Sequence, residues 1–330
     1  MIEQFTVTLE PISPIFVWSG ESLVANADYK LVGNKLIIID IFKAVGKVSM
    51  LEDAFREEFA RELCGQKLVF EIKSGTIPQS ILMINDYVVP ASSLKGLMRT
   101  AILNSLVNST VLNRVKDSLM AISSMIRREA LRNVKNVAYP VEELLKVRVQ
   151  VGGGRYTYDS LNRLLIADPT VRSPHFSLST VEIKEIAGGS YSEEVYAITF
   201  DKGVLTYNAE IVKPQNYGFR SDVAQKDAII NKDKIIESLK SFSSYTVDKE
   251  IEKASGKYKD FLNSLKAENS CFPLKIGMFS GHISKTVSVP KNLENLRSQV
   301  MTRVTGHSWD NRTVKLVNGI GVGWARVCVK

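Results

Sequence analysis

Pro90-Ala91-Ser92-Ser93-Leu94-Lys95-Gly96-Leu97-Met98-Arg99-Thr100 combines a helix start, a glycine and two cations within three turns. Proline ends the strand-like run Asp86 to Val89, and Ser92 or Ser93 can accept from the free N–H groups of the helix that follows. Leu94, Leu97, Met98, Ala101 and Ile102 keep the i, i+3, i+4, i+7, i+8 spacing of a buried helical stripe. Lys95 and Arg99 are i, i+4 neighbours off that stripe, beside a terminus whose unpaired N–H groups and dipole favour anions. Gly96 between them lets another backbone come close. The segment can grip a sugar-phosphate chain; the same residues also fit a plain amphipathic helix with two solvated cations.

Outward from this helix the chain reads as α+β. Phe5 to Leu9 alternates like a strand, and Lys30 to Phe42 reads as two strands around a Gly33-Asn34 turn. Ser49 and Glu52 form a capping box for a helix whose apolar line runs through Leu51, Phe55 and Phe59 to Leu63. Leu68 to Ile72 is another strand, and Ile81 to Val89 a short hairpin over Asn85-Asp86. That order predicts a ferredoxin-like, RRM-like split βαβ core with helical insertions. Gly152-Gly153-Gly154 and Gly188-Gly189-Ser190 mark loops, the first taken as the junction between residues 1–150 and 151–330. Residues 226–268 carry nine lysines against eight acids over short helical patterns and read as a solvated helical insertion.

The 330 residues, 45% of them hydrophobic, can bury a substantial core without staples. Cys64, Cys271 and Cys328 are widely separated and odd in number, which implies neither a disulfide framework nor a CxxC metal site and suits a reducing cytoplasm. No secretory h-region and no membrane-length apolar run is present. The formal charge of +8 favours an acidic partner, and its placement sharpens the point. Residues 91–135 hold eight basic side chains against Asp117 and Glu129; residues 285–330 hold eight, Arg303, Arg312 and Lys315 among them, against Glu294 and Asp310. Each region therefore carries +6.

Gly319-Ile320-Gly321-Val322-Gly323 spells a dinucleotide loop, but the seven residues after it cannot supply the helix and strand such a site needs. Gly277 to Thr286 is more informative: Gly277 and Gly281 can take φ > 0 and expose successive N–H groups, with Ser280, Ser284, Lys285 and Thr286 as further donors, or can simply serve turn geometry. For metal-free RNA cleavage the candidates are His282 near Lys285, His175 after Arg172, and His307 between Arg303 and Arg312; none has a fixed partner in sequence.

Pro90 to Thr100 resembles the Pro-Gly-Ser-Ser-Leu-Lys-Gly signature of the RAMP proteins of CRISPR effector complexes, with Ala91 where glycine is usual. Three further segments are similar to one branch of that superfamily, and their order agrees. Leu9 to Asp40 is similar to its opening, with Phe16-Val17-Trp18-Ser19-Gly20 where His-Ile-Gly-Ser-Gly is usual. Leu274 to Thr286 is similar to its Gly-x-x-Ser-Gly-x-x-Ser-Lys-Thr element, and Asn311 to Leu316 with Gly323-Trp324 to its closing motifs. The branch is the Cas7-like subunit that caps the crRNA 3′ end in type III-A (Csm) complexes. The resemblance implies a RAMP core and a cytoplasmic, non-catalytic antiviral role without cofactor, metal or membrane. Its implied partners are crRNA, target RNA, neighbouring Cas7-like RAMP backbone subunits and other Csm subunits. The residues implied in RNA contact are Ser19, Gly20, Ser92, Ser93, Lys95, Gly96, Arg99, Gly277, Ser280, Gly281, His282, Lys285, Arg303, Arg312 and Lys315, with Phe16, Trp18, Phe279 and Trp324 as stacking candidates. A related RAMP endoribonuclease, processing precursor crRNA or cutting target RNA through Asp28 or His282, is the alternative.

Overall fold

A computed structural model describes residues 2–32, 35–39, 68–71, 78–151, 153–185, 192–212, 221–306 and 313–330. The Gly33-Asn34 turn, the capping box at Ser49, Cys64, Gly152, Gly188 to Ser190, His307 and Arg312 lie outside the described residues. The strands are β1 Ile2–Pro11, β2 Trp18–Val24, β3 Tyr29–Val32, β4 Lys35–Ile38, β5 Leu68–Glu71, β6 Ser80–Ile84, β7 Lys146–Val151, β8 Gly154–Asp159, β9 Leu164–Ile166, β10 Thr170–Glu185, β11 Ser192–Val212, β12 Cys271–Lys275, β13 Thr313–Val317, β14 Ile320–Gly321 and β15 Trp324–Val329. The α-helices are α1 Ala91–Leu106, α2 Ser109–Ser124, α3 Arg127–Asn133, α4 Tyr139–Glu142, α5 Ser221–Ile229, α6 Lys232–Ile251, α7 Gly256–Ser264 and α8 Lys291–Thr305.

The main sheet runs β12-β15-β1-β11-β10-β13-β14, antiparallel throughout. Period-two alternation builds its centre: Phe5, Val7 and Leu9 of β1 are buried, and Tyr207, Ala209 and Ile211 of β11 are buried beside them. α1 connects β1 to β10 through the chain between them, and α6 joins β11 to β12, so the α+β fold follows a split βαβ plan. The plan is spread over the whole chain instead of the first 72 residues. The hairpin β3–β4 with β5 forms a separate three-stranded sheet, and β6 joins β2 and β11 instead of closing a hairpin with residues 86–89, which form a turn. Strands from both sides of residue 150 share the main sheet.

Helix α1 buries the stripe the spacing predicts, with Leu94, Leu97, Met98, Ala101 and Ile102 all in the core. Its partner is α6, whose Ile235, Leu239 and Phe242 are fully buried. This part of residues 226–268 is therefore a core helix and not a solvated insertion; most of its charges lie off the buried face and hid the stripe, while Glu250 is buried. Each such buried side chain contributes about 1.5–3 kcal/mol. A second helical layer joins the two basic regions: α8 packs on α2 and α3, with Arg303 donating to the Ser123 carbonyl and Arg127 Nε donating to the Val304 carbonyl at 3.1 Å.

Cys271 and Cys328 face each other in the β12–β15 register and form a disulfide, contrary to the sequence expectation. A separation of 57 residues conceals a pairing that only the antiparallel register creates. No helix among the described residues is long and apolar enough to cross a membrane.

Candidate nucleic-acid interface

Three segments far apart in sequence line one groove of about 390 Å³: Val17 and Trp18; Ser93, Gly96, Leu97 and Thr100; and residues 275–285 through Lys275, Gly277, Met278, Ser280, Ser284 and Lys285. No carboxylate lines it among the described residues.

The first wall is the start of β2. Trp18 is opposite Ile84 and Ser22 opposite Leu82, so Ser19, Gly20 and Glu21 bulge from the ladder. The bulge is held by the Ser19 Oγ accepting from Glu21 N–H at 3.1 Å and by Trp18 Nε1 donating to the Glu21 carbonyl at 2.8 Å. Gly20 takes φ +100° there, and Trp18 is left 43% exposed at the groove. Of the four stacking candidates, Trp18 is the one whose ring is exposed. Trp324 is fully buried, and Phe16 and Phe279 stack on each other in the core with centroids 5.2 Å apart, so these three stacking candidates hold the fold.

The second wall is the first half of α1, and its start differs from the expected serine cap. Pro90 is the N-cap, Ser92 and Ser93 lie within the helix, and the Ala91 N–H donates to Asp168 Oδ1 at 2.8 Å. The cap comes from 77 residues away, which no local spacing reveals. Lys95 and Arg99 are also engaged. Lys95 Nζ donates to the Leu164 carbonyl at 2.7 Å, and burial lowers its pKa, partly offset by Asp159. Arg99 bridges Asp159, at 2.8 Å, and Glu142; burial pulls its pKa down but the two carboxylates outweigh it and hold it above the ordinary value. These cations tie α1 to β8 and β9. Gly96 faces outward, with nothing within 4 Å of where a Cβ would stand, so an RNA backbone can approach α1 there.

The third wall is the glycine-rich loop, wound as two short 3₁₀ turns, Met278–Ser280 and Ile283–Lys285. Gly277 and Gly281 take φ +99° and +83°, as their placement predicts. At Gly277 a Cβ would meet the Phe16 carbonyl oxygen at 2.3 Å, so the loop seats directly on the segment before β2. The hydroxyls expected to reach for phosphate turn inward: Ser280 Oγ donates to the Gly277 carbonyl, Ser284 Oγ to Ser280, and Thr286 Oγ1 to His282, at 2.8, 2.9 and 3.0 Å. Lys285 is exposed and, among the described residues, donates only to the neutral Met278 carbonyl, at 3.1 Å; burial of its stem lowers its pKa.

Beneath the loop lies a residue the sequence reading missed. Lys275 is buried, its Nζ 3.2 Å from Glu250 Oε1 and 5.6 Å from the centre of the Trp324 ring. Tyr258 donates to the other Glu250 oxygen at 2.8 Å. Burial lowers the Lys275 pKa and Glu250 counters it. The signal was a lysine inside the apolar run Cys271 to Ile276, where a cation needs a carboxylate brought by another element. Lys315 belongs to the same cluster: burial first, then repulsion from Lys275, depresses its pKa, and its Nζ donates to Thr313 Oγ1 at 2.6 Å.

The remaining candidates lie elsewhere. Arg303 ties α8 to α2. Asp28 Oδ2 accepts from the Val24 N–H at 2.8 Å and closes the turn before β3. His282 Nε2 is buried without a hydrogen-bond partner among the described residues, and burial, then Arg297, lowers its pKa. His175 Nδ1 lies 2.7 Å from Asp201 on the exposed β10–β11 edge.

No family model and no curated protein matches the sequence. Among solved structures, the chain is similar to one in the cryo-EM structure of a Csm–crRNA–target RNA ternary complex from a type III-A CRISPR-Cas system. The TM-score is 0.68 at 18% identity, covering 99% of this chain and 100% of the other. The likeness is one of fold, and it runs the full length of both chains.

Proposed function

We propose that this chain is a non-catalytic RNA-binding subunit of a type III-A CRISPR ribonucleoprotein that holds the 3′ part of crRNA and caps the filament of related subunits. The observation that carries the proposal is the groove. Segments around Trp18, Gly96 and Gly277, singled out separately in the sequence, line one surface with an exposed lysine that bonds a neutral carbonyl, an exposed indole and, among the described residues, no acid. Glycine at two walls suits a sugar-phosphate backbone, and an indole stacks on any base, so contacts of this kind accept many guides. The full-length likeness to a chain from an RNA-bound Csm complex supports the same reading. The non-catalytic part of the proposal draws on Asp28, engaged in a turn, and His282, whose Nε2 is buried within the glycine-rich loop; neither lines the groove.

Titration of the purified chain with unrelated single-stranded RNAs at several salt concentrations tests it. Trp18→Ala should weaken every sequence by about 1–3 kcal/mol, and Lys285→Ala should flatten the log K against log salt slope by about 0.7. Both RNA strands should stay intact over hours with Mg²⁺ or with chelator. In the assembled complex Asp28→Ala should leave the number of target cuts unchanged. A cleavage lost with Asp28→Ala, His175→Ala or His282→Ala would establish the endoribonuclease alternative instead.

A further inference from the structure

A second cavity, of about 340 Å³, opens where α1, α2 and α8 meet the Val134–Glu142 segment and residues 285–289. Its walls are aliphatic: Leu103, Val115, Leu119, Val141, Val289 and Met301 among them, with no aromatic ring among the described lining residues. Its rim is cationic. Arg99 and Glu142 pair with each other, which leaves Lys135, Lys285 and Arg297. Lys135 makes no hydrogen bond or ion pair among the described residues, Lys285 bonds only a carbonyl, and Arg297 reaches Glu294 only at 3.9 Å. On α2, α3 and the link between them, which precede the Val134–Ala138 wall in the chain, Met120, Ile126 and Leu131 are 53, 72 and 47% exposed. Exposed apolar area of this kind on a helical corner marks an interaction surface.

We propose that this pocket docks an acidic segment of a protein partner, one bulky apolar side chain filling the aliphatic cavity while flanking carboxylates meet Lys135, Arg297 and Lys285. Charge complementarity selects the sign of the partner: Lys135, Lys285 and Arg297 line the pocket, and the one lining carboxylate among the described residues, Glu142, is already paired with Arg99 and Lys146, so the rim repels basic segments and draws acidic ones. The walls select protein over nucleic acid. A nucleobase placed there would find no ring to stack on and would lose hydration at its polar edge, whereas a leucine or tryptophan side chain gains from the same burial. Lys285 lines both this pocket and the RNA groove, so a docked carboxylate sits next to the bound strand. The proposal stands apart from the RNA reading and is tested separately.

The test uses the full chain and a fluorescein-labelled probe peptide, Glu-Asp-Glu-Trp-Leu-Glu-Asp-Glu, with a second peptide in which every acid is lysine. Fluorescence polarisation should show saturable binding of the acidic probe that weakens with salt, and none of the basic one. Ala138 is exposed at the pocket mouth, so Ala138→Trp plugs the pocket without entering the core. It should cost at least about tenfold in probe affinity, as loss of an interface anchor does. Arg297→Glu with Lys135→Glu should do the same, while Ala138→Trp leaves single-stranded RNA affinity unchanged. Absence of binding, equal binding of both peptides, or an unaffected Ala138→Trp would overturn the proposal. So would an Ala138→Trp protein that loses RNA affinity, which would make the pocket a nucleotide site.

Discussion

Replacing Gly277 by alanine perturbs the point where the groove's third wall meets its first. The φ of +99° and ψ of −174° belong to a region open essentially to glycine alone, where a side chain costs about 1–3 kcal/mol. The added Cβ would stand 2.3 Å from the Phe16 carbonyl oxygen, far inside contact distance, and that oxygen accepts from the Met278 N–H at 2.8 Å. Relief requires the two segments to part, which weakens that hydrogen bond by about 1 kcal/mol net and loosens the Phe16–Phe279 stack. The sum is about 2–4 kcal/mol. An unfolding entropy of about 2.1 cal/mol/K per residue gives about 0.7 kcal/mol/K for the whole chain, so the melting temperature should fall by about 3–6 °C. Two controls bracket the effect in the same thermal and urea melts. Gly281→Ala carries the positive φ of 83° but meets only Glu250 Oε1 at 4.0 Å, and should fall less. Gly96→Ala sits in an exposed helix interior with open space around it and should gain about 1 kcal/mol. A Gly277→Ala protein that melts at or above the parent temperature would refute the loop-on-strand argument.

Asp168→Ala removes the carboxylate that caps α1 and should cost about 1 kcal/mol in urea melts, with Asp168→Asn recovering most of it. Arg99→Ala breaks charge-assisted bonds to Asp159 and Glu142 and should destabilise by about 1–3 kcal/mol while leaving the RNA salt slope unchanged; a flattened slope would return Arg99 to the RNA interface. His282 has a folded pKa below its unfolded value, so the unfolded chain binds the extra proton. Stability attached to neutral His282 is therefore complete above about pH 6.5 and is lost as pH falls through the folded pKa, by at most about 1.4 kcal/mol per pH unit. The melting temperature of the His282→Gln protein should drop less steeply below pH 6.5 than that of the parent, and identical slopes would contradict the assignment. Closing a 57-residue separation with the Cys271–Cys328 disulfide contributes about 4 kcal/mol in the chain-entropy model, so reductant should lower the melting temperature and Cys328→Ser should abolish that sensitivity.

Local pattern carried much of this fold. The alternation of Phe5, Val7 and Leu9 and the five-residue stripe of α1 were legible because their burial follows from period alone. The topology was not, since the first hairpin and strand mimic a split βαβ order while the real plan uses β10, β11 and α6, more than 100 residues on. The balanced charges of residues 226–268 mask the inward face of α6, where serines and a threonine share the stripe with Ile235, Leu239 and Phe242. At the groove, the loop glycines were readable because positive φ is a local demand, and Gly277 and Gly281 both take it. Cation roles were not. Whether Lys95 and Arg99 are free depends on Leu164, Asp159 and Glu142, partners that the fold alone brings near.

The most direct measurement of the central claim is the affinity of single-stranded RNA for Gly96→Glu beside Gly96→Ala. Both substitutions point into open space at the groove and leave the helix intact, so they differ in charge and length at the surface where the strand is proposed to lie. The account predicts RNA binding close to the parent for Gly96→Ala and at least about a tenfold loss for Gly96→Glu, larger at low salt than at high. Equal RNA affinity for the two variants, with both correctly folded, would contradict it.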